Sequence, residues 1–148
     1  MKNWRLSLAG LIMAVLIMSG CGPTLGQSFK KVEIVPINKA LIYIYRPMGF
    51  LGWARTIDVL AGDKDVINLS NSSYYPYFAN PGEIEFKSKL GSARSESLTL
   101  DAKPNRTYFL KTGIRKGSTA VQIILTIMPP EEGETEIGEC RLVLDKQP

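Results

Sequence analysis

Histidine is absent from the 148-residue chain, and cysteine occurs only twice. Without imidazole, neither Ser-His-Asp nor Cys-His catalysis can be assembled, and the commonest side-chain base near neutral pH is missing. The carboxylates do not fill the gap. Glu83 and Glu85 alternate with apolar residues, which puts both on the wet face of one strand. Asp58, Asp63 and Asp65 lack the central glycine and the closing glutamate that an EF-hand calcium loop requires. The expected catalytic, metal and cofactor assignments are therefore none, and the chain reads as a non-enzyme, with a histidine-free cell-envelope hydrolase built on a carboxylate or Ser-Lys pair as the less favoured alternative. No long basic run or aromatic-interleaved Arg/Lys patch is present either, so no nucleic-acid partner is expected.

Long hydrophobic runs are scarce as well. The amino-terminal run, residues 6–18, has 13 residues with Ser7 as its only polar side chain, whereas a membrane-crossing helix needs about 20. Lys2 and Arg5 precede the run and Ser19 and Gly20 follow it, the layout of an export signal. The segment Ile17-Met18-Ser19-Gly20-Cys21 resembles the lipobox of bacterial lipoprotein precursors, although Met18 stands where leucine is usual. That resemblance implies a diacylglycerol thioether on Cys21, cleavage before it and acylation of the new amine. Two or more acyl chains are enough for stable anchoring, whereas one is marginal. Gly22 replaces the aspartate that retains enteric lipoproteins in the inner membrane, so the resemblance implies a periplasm-facing outer-membrane anchor.

Removing 20 of 148 residues leaves 128, enough for one domain with a core. Losing Lys2 and Arg5 lowers the basic count from 18 to 16 against 14 acids, so the formal charge drops from +4 to +2. The expected organisation is a signal over 1–20, a lipidated tether over 21–38 and a β-sandwich over 39–148. With Cys21 acylated, Cys140 has no intramolecular partner. It reads as a buried small hydrophobe, with an intermolecular disulfide as the alternative.

Periodicity gives seven or eight short, mostly antiparallel strands and no clear helix after the signal, the pattern of a single small all-β sandwich. Residues 40–46, ALIYIYR, have no polar face and predict a central strand covered on both sides. In the stretch 74–90, Glu83, Glu85, Lys87 and Lys89 alternate with Ile84, Phe86, Ser88 and Leu90, and Asn80-Pro81-Gly82 predicts a hairpin turn ahead of them. Further hairpins are expected between 56–60 and 65–69 and between 96–100 and 107–111. A strand is expected over 120–128 and a short edge strand over 32–35. Pro76 marks 74–78 as an edge candidate. Glu131, Glu132, Glu134, Glu136 and Glu139 read as a solvated acidic run before an edge strand or short frayed helix.

The 40–47 segment, Ala-Leu-Ile-Tyr-Ile-Tyr-Arg-Pro, resembles the opening strand of a bacterial family of unknown function found in small lipoproteins and periplasmic proteins. Residues 74–86 are similar to that family and to PEGA-type sandwich modules. The resemblance spans about 39–127, implies a small β-sandwich and brings no catalytic residues. The function expected from all this is a membrane-anchored, non-catalytic binding or scaffolding module, with an envelope protein or peptidoglycan as partner. Its candidate contact surface is Tyr43, Tyr45, Arg46, Phe50, Trp53, Arg55 and Tyr74, since aromatics beside arginine typify protein contacts and also stack on sugars. Each tyrosine has core packing as its alternative, and the apolar loop 48–53 either covers the core or awaits a partner.

Overall fold

The computed structural model describes residues 25–91 and 96–144. The signal segment 1–20 and Cys21 lie outside them. Among the described residues the order is β1 (Leu25–Ser28), β2 (Ala40–Arg46), β3 (Ile57–Ala61), β4 (Lys64–Leu69), β5 (Ser73–Ala79), β6 (Gly82–Lys89), β7 (Glu96–Ala102), β8 (Thr107–Lys116), β9 (Val121–Met128), α1 (Pro130–Ile137) and β10 (Arg141–Val143). The strands form a six-stranded sheet, β1-β10-β5-β2-β8-β9, and a four-stranded sheet, β4-β3-β6-β7. The small all-β sandwich expected from periodicity is present, with two pairings, β10–β5 and β2–β8, running parallel.

β2 explains the arrangement. Its residues alternate between two apolar layers, so both sides of the strand need cover. Ala40, Ile42 and Ile44 join Ile57, Val59, Leu69, Phe86 and Leu110 between the sheets. Leu41, Tyr43 and Tyr45 join Tyr74, Phe109, Ile137 and Cys140 on the outer face of the larger sheet. At about 2 kcal/mol per fully buried large apolar side chain, β2 alone contributes on the order of 10 kcal/mol of transfer free energy.

Strand positions matched the sequence pattern better than strand partners did. β3 and β4 form the expected hairpin, with Gly62 at φ +61° in its turn. The expected hairpin over 74–90 does not form: β5 pairs with β2 from Ser73 to Ala79, while β6 pairs with β3 and β7 in the other sheet. Asn80-Pro81-Gly82 instead arches between sheets, with Gly82 at φ +127°. A tight turn before an alternating strand fits an arch as well as a hairpin, and the fully apolar β2 was the stronger partner for β5. The 96–111 pattern is corrected in the same way, because β7 and β8 lie in different sheets.

Across the sandwich, buried Ser88 of β6 and Thr112 of β8 meet through their hydroxyls at 3.0 Å. Thr112 donates its one proton to the Ile124 carbonyl at 3.0 Å, so Ser88 is the donor between them. The pair bridges the two sheets without leaving a buried hydroxyl unmatched.

The outer face of the larger sheet is closed by two segments not expected to pack there. The tether assigned to 21–38 contains β1, which pairs antiparallel with β10, whereas 32–35 is not a strand. Phe29 then sets its ring edge-on to Tyr43 and Tyr74, with centroids 5.3 and 5.2 Å apart, and Val32 N–H donates to the Tyr43 hydroxyl at 2.7 Å. Apolar Phe29, Val32 and Val35 therefore find a surface in the tyrosine layer, so residues 25–35 pack as part of the domain.

The second cover is α1, where an acidic solvated run was expected. Pro130 starts the helix, and Glu131 and Glu132 complement its amino-terminal dipole. Gly133, a residue type that disfavours a helix interior, is buried here: a Cβ there would sit 2.5 Å from Phe109 Cβ. The missing side chain lets the helix backbone lie on the sheet. On its inner side Glu136 accepts from Tyr45 Oη at 2.8 Å and from Lys111 Nζ at 2.7 Å.

Burial alone would raise the Glu136 pKa, but the hydrogen bonds from Lys111 and Tyr45 outweigh it and hold the carboxyl below its ordinary value of 4.5. The stability from this clamp is therefore complete above the unfolded carboxyl pKa and is lost as pH falls through the depressed folded value. Urea titrations of the wild type and Glu136→Gln should diverge, with the wild type losing stability more steeply below about pH 4.5, the ordinary value. Parallel curves would show that the clamp does not select the carboxylate.

Candidate contact surface

The structure divides the seven candidate contact residues into two groups. Tyr43, Tyr45, Tyr74 and Arg46 are buried, at 1, 0, 3 and 2% exposure, and cannot meet a partner directly. The three tyrosines belong to the layer beneath α1 and the 29–35 arm, where burial raises the hydroxyl pKa of Tyr43 and Tyr45. Phe50 is 90% and Trp53 67% exposed, and Arg55 is exposed beside them. Met48 is 73% exposed and Leu51 is partly so. The loop thus presents its apolar side chains to solvent instead of covering the core.

Arg46 gives the loop its shape. It follows Ile42 and Ile44 in phase, so its side chain enters the inter-sheet side of β2 at the strand's end. Its two terminal nitrogens donate to the carbonyls of Arg55 at 2.5 Å and Gly52 at 2.8 Å. Burial lowers its pKa from the ordinary guanidinium value. A planar fork reaching two carbonyls holds both ends of the turn together, which a single ammonium could not do in the same way.

Further contacts complete the support. Arg55 N–H donates to the Gly52 carbonyl at 2.9 Å, and Gly49 N–H donates to Asn71 Oδ1 at 3.0 Å. Gly52 takes φ +64°, and a Cβ there would collide with Ile114 Cδ1 of β8. Only glycine meets both demands. A cavity of about 100 Å³ lies between loop and sheet, lined by Arg46, Met48, Leu51, Lys111, Ile114 and Ile124 among others. The loop therefore rests on the end of the β8–β9 hairpin, whose exposed Arg115 and Lys116 extend the basic character of Arg55.

At the base of the loop, Cys140 is buried and donates to the Arg46 carbonyl at 3.6 Å. Burial pushes its thiol up to about 12, so it packs as the small hydrophobe expected from sequence. Among the described residues no three His, Cys, Asp or Glu side chains group as metal ligands, and no helix is long and apolar enough to cross a membrane.

Sequence reasoning missed the inward role of Arg46 and the Tyr45–Glu136–Lys111 clamp. The phase of Arg46 with Ile42 and Ile44, just before Pro47, carried the first signal. The clamp had none, because it joins residues 91 and 25 positions apart. Compared with known proteins, the chain matches no family model and no curated protein.

Arg46→Ala should free the loop while the sheets persist. Two charge-assisted hydrogen bonds are lost, and the associated cost of about 1–3 kcal/mol corresponds to trypsin cleavage after Arg55 that is roughly 5- to 150-fold faster. Mass spectrometry of limited digests reads this directly, and an unchanged rate at Arg55 would refute the role given to Arg46.

Proposed function

We propose that this chain is a non-catalytic binding or scaffolding module of the bacterial cell envelope, held at the outer membrane by lipid on Cys21. Its contact surface is the 48–55 loop. One observation carries the reading: Phe50 and Trp53 stand 90 and 67% exposed on a turn that buried Arg46 fixes from within. An apolar side chain left in water forgoes about 25 cal/mol per Å² of its burial free energy. A rigid turn that maintains such exposure on several residues is suited to desolvation by a partner. The lipobox-like segment and the short export signal support the address.

The outward aromatic rings favour a second reading, stacking on the sugars of peptidoglycan, with Phe50 and Trp53 as the platforms. Tyr43, Tyr45 and Tyr74 drop out of either reading because they are core.

The test couples address and contact. Radiolabelled palmitate should enter the wild-type protein in growing cells, and Cys21→Ala should abolish labelling. A photocrosslinking residue at position 50 should yield an adduct with an envelope component, whereas one at exposed position 65 of β4 should yield none. Absence of palmitate in the wild type would refute the address, and equal crosslinking at 50 and 65 would refute the contact surface.

A further inference from the structure

We infer that the 48–55 loop inserts into an anionic phospholipid surface, giving the domain a second point of membrane attachment beside the acylated cysteine. The inference rests on the envelope address proposed above and names the counterpart of that loop. Three observations converge on it.

The first is the chemistry of the projecting end. Met48, Phe50 and Trp53 form an exposed apolar tip. The loop residues 47–56 and the hairpin end 113–121 carry Arg55, Arg115 and Lys116 and no acidic residue. Tryptophan and phenylalanine seated at the hydrocarbon boundary, with arginine and lysine at phosphate level, are the side chains that an interface accepts. A sugar-binding platform normally adds carboxylates or amides to reach hydroxyls, and residues 47–56 contain none.

The second is mechanical. Insertion requires a tip that does not collapse onto the protein. The Arg46 fork, the Gly49–Asn71 hydrogen bond and the contact of Gly52 with Ile114 hold this one outward.

The third is the length of the leash. Only Gly22, Pro23 and Thr24 separate Cys21 from Leu25, the first residue of β1. Four residue steps span at most about 14 Å. Ser28, Arg141, Ser73 and Arg46 occupy one transverse row across β1, β10, β5 and β2, and Leu25, opposite Val143, lies about 7 Å from that row on the side away from the loop. Doubling back beside β1, a leash of that length reaches the level of the row from which the loop projects. It is too short to hold the domain far from the bilayer. With β1 bound into the sheet, the domain must rest against lipid, and this end has the matching surface.

Trp53 is the natural reporter. The chain has two tryptophans, Trp4 in the signal and Trp53, so full-length Trp4→Phe protein carries a single one. Reconstituted into phosphatidylethanolamine/phosphatidylglycerol vesicles, it should show blue-shifted emission. Brominated acyl chains should quench that emission at least twofold, and aqueous acrylamide should quench it poorly. Phe50→Ser should halve the bromolipid quenching or more, and Arg55→Glu with Arg115→Glu should do so only in vesicles containing phosphatidylglycerol.

Vesicle-bound, palmitoylated protein whose Trp53 stays red-emitting and acrylamide-accessible would overturn the inference while leaving the lipid anchor intact. Cys21→Ser protein that still sediments with phosphatidylglycerol vesicles, at least fivefold above phosphatidylcholine, reversed by salt and lost on adding Phe50→Ser, would support it. That result would hold even if palmitate labelling of the wild type failed. A position-50 crosslink to a protein or to peptidoglycan in place of phospholipid would also overturn it.

Discussion

Burial of β2 on both faces is the constraint from which the rest follows. A strand with one wet face could have sat at an edge of a two-layer sandwich. Ala40–Arg46 cannot, because Ile42 and Ile44 need one apolar layer while Leu41, Tyr43 and Tyr45 need another. The four-stranded sheet supplies the first. The helix and the 29–35 arm supply the second, and the tyrosine hydroxyls find partners there in Glu136 and the Val32 amide. The transfer free energy held in this one strand is comparable with the roughly 5–15 kcal/mol by which a whole domain is stable.

The same strand couples core to surface at its last residue. Arg46 is a buried cation whose described partners are the main-chain carbonyls of the loop that follows it. Desolvating a charge is expensive unless its donors are used, so the loop must stay where its carbonyls meet the guanidinium. The exposed aromatic tip is therefore a consequence of core chemistry. Cys140, whose thiol meets the Arg46 carbonyl, ties the carboxy-terminal turn to the same point.

Much of the fold could be read from local pattern, for reasons particular residues make plain. The alternation from Glu83 to Leu90 and the unbroken apolarity of 40–46 reflect burial on one or two faces, which sequence records directly. Pairing was less legible. Nothing local to Asn80-Pro81-Gly82 distinguishes an arch between sheets from a hairpin within one. The helix over Pro130–Ile137 was obscured by Gly133, whose value lies in the approach of Phe109, a residue 24 positions away. For the contact surface, exposure of Phe50 and Trp53 depended on where Arg46 points, and the three tyrosines were core because the arm and the helix fold over them.

Hydrogen exchange resolved by residue tests the dependence on β2 most directly. Amides of 41–46 should exchange only through global unfolding, with opening free energies equal to the stability measured by denaturant, whereas amides of 48–53 should exchange through cheaper local opening. Exchange of 41–46 at a free energy well below the global value would contradict the account. It would mean that the two apolar layers do not depend on this strand.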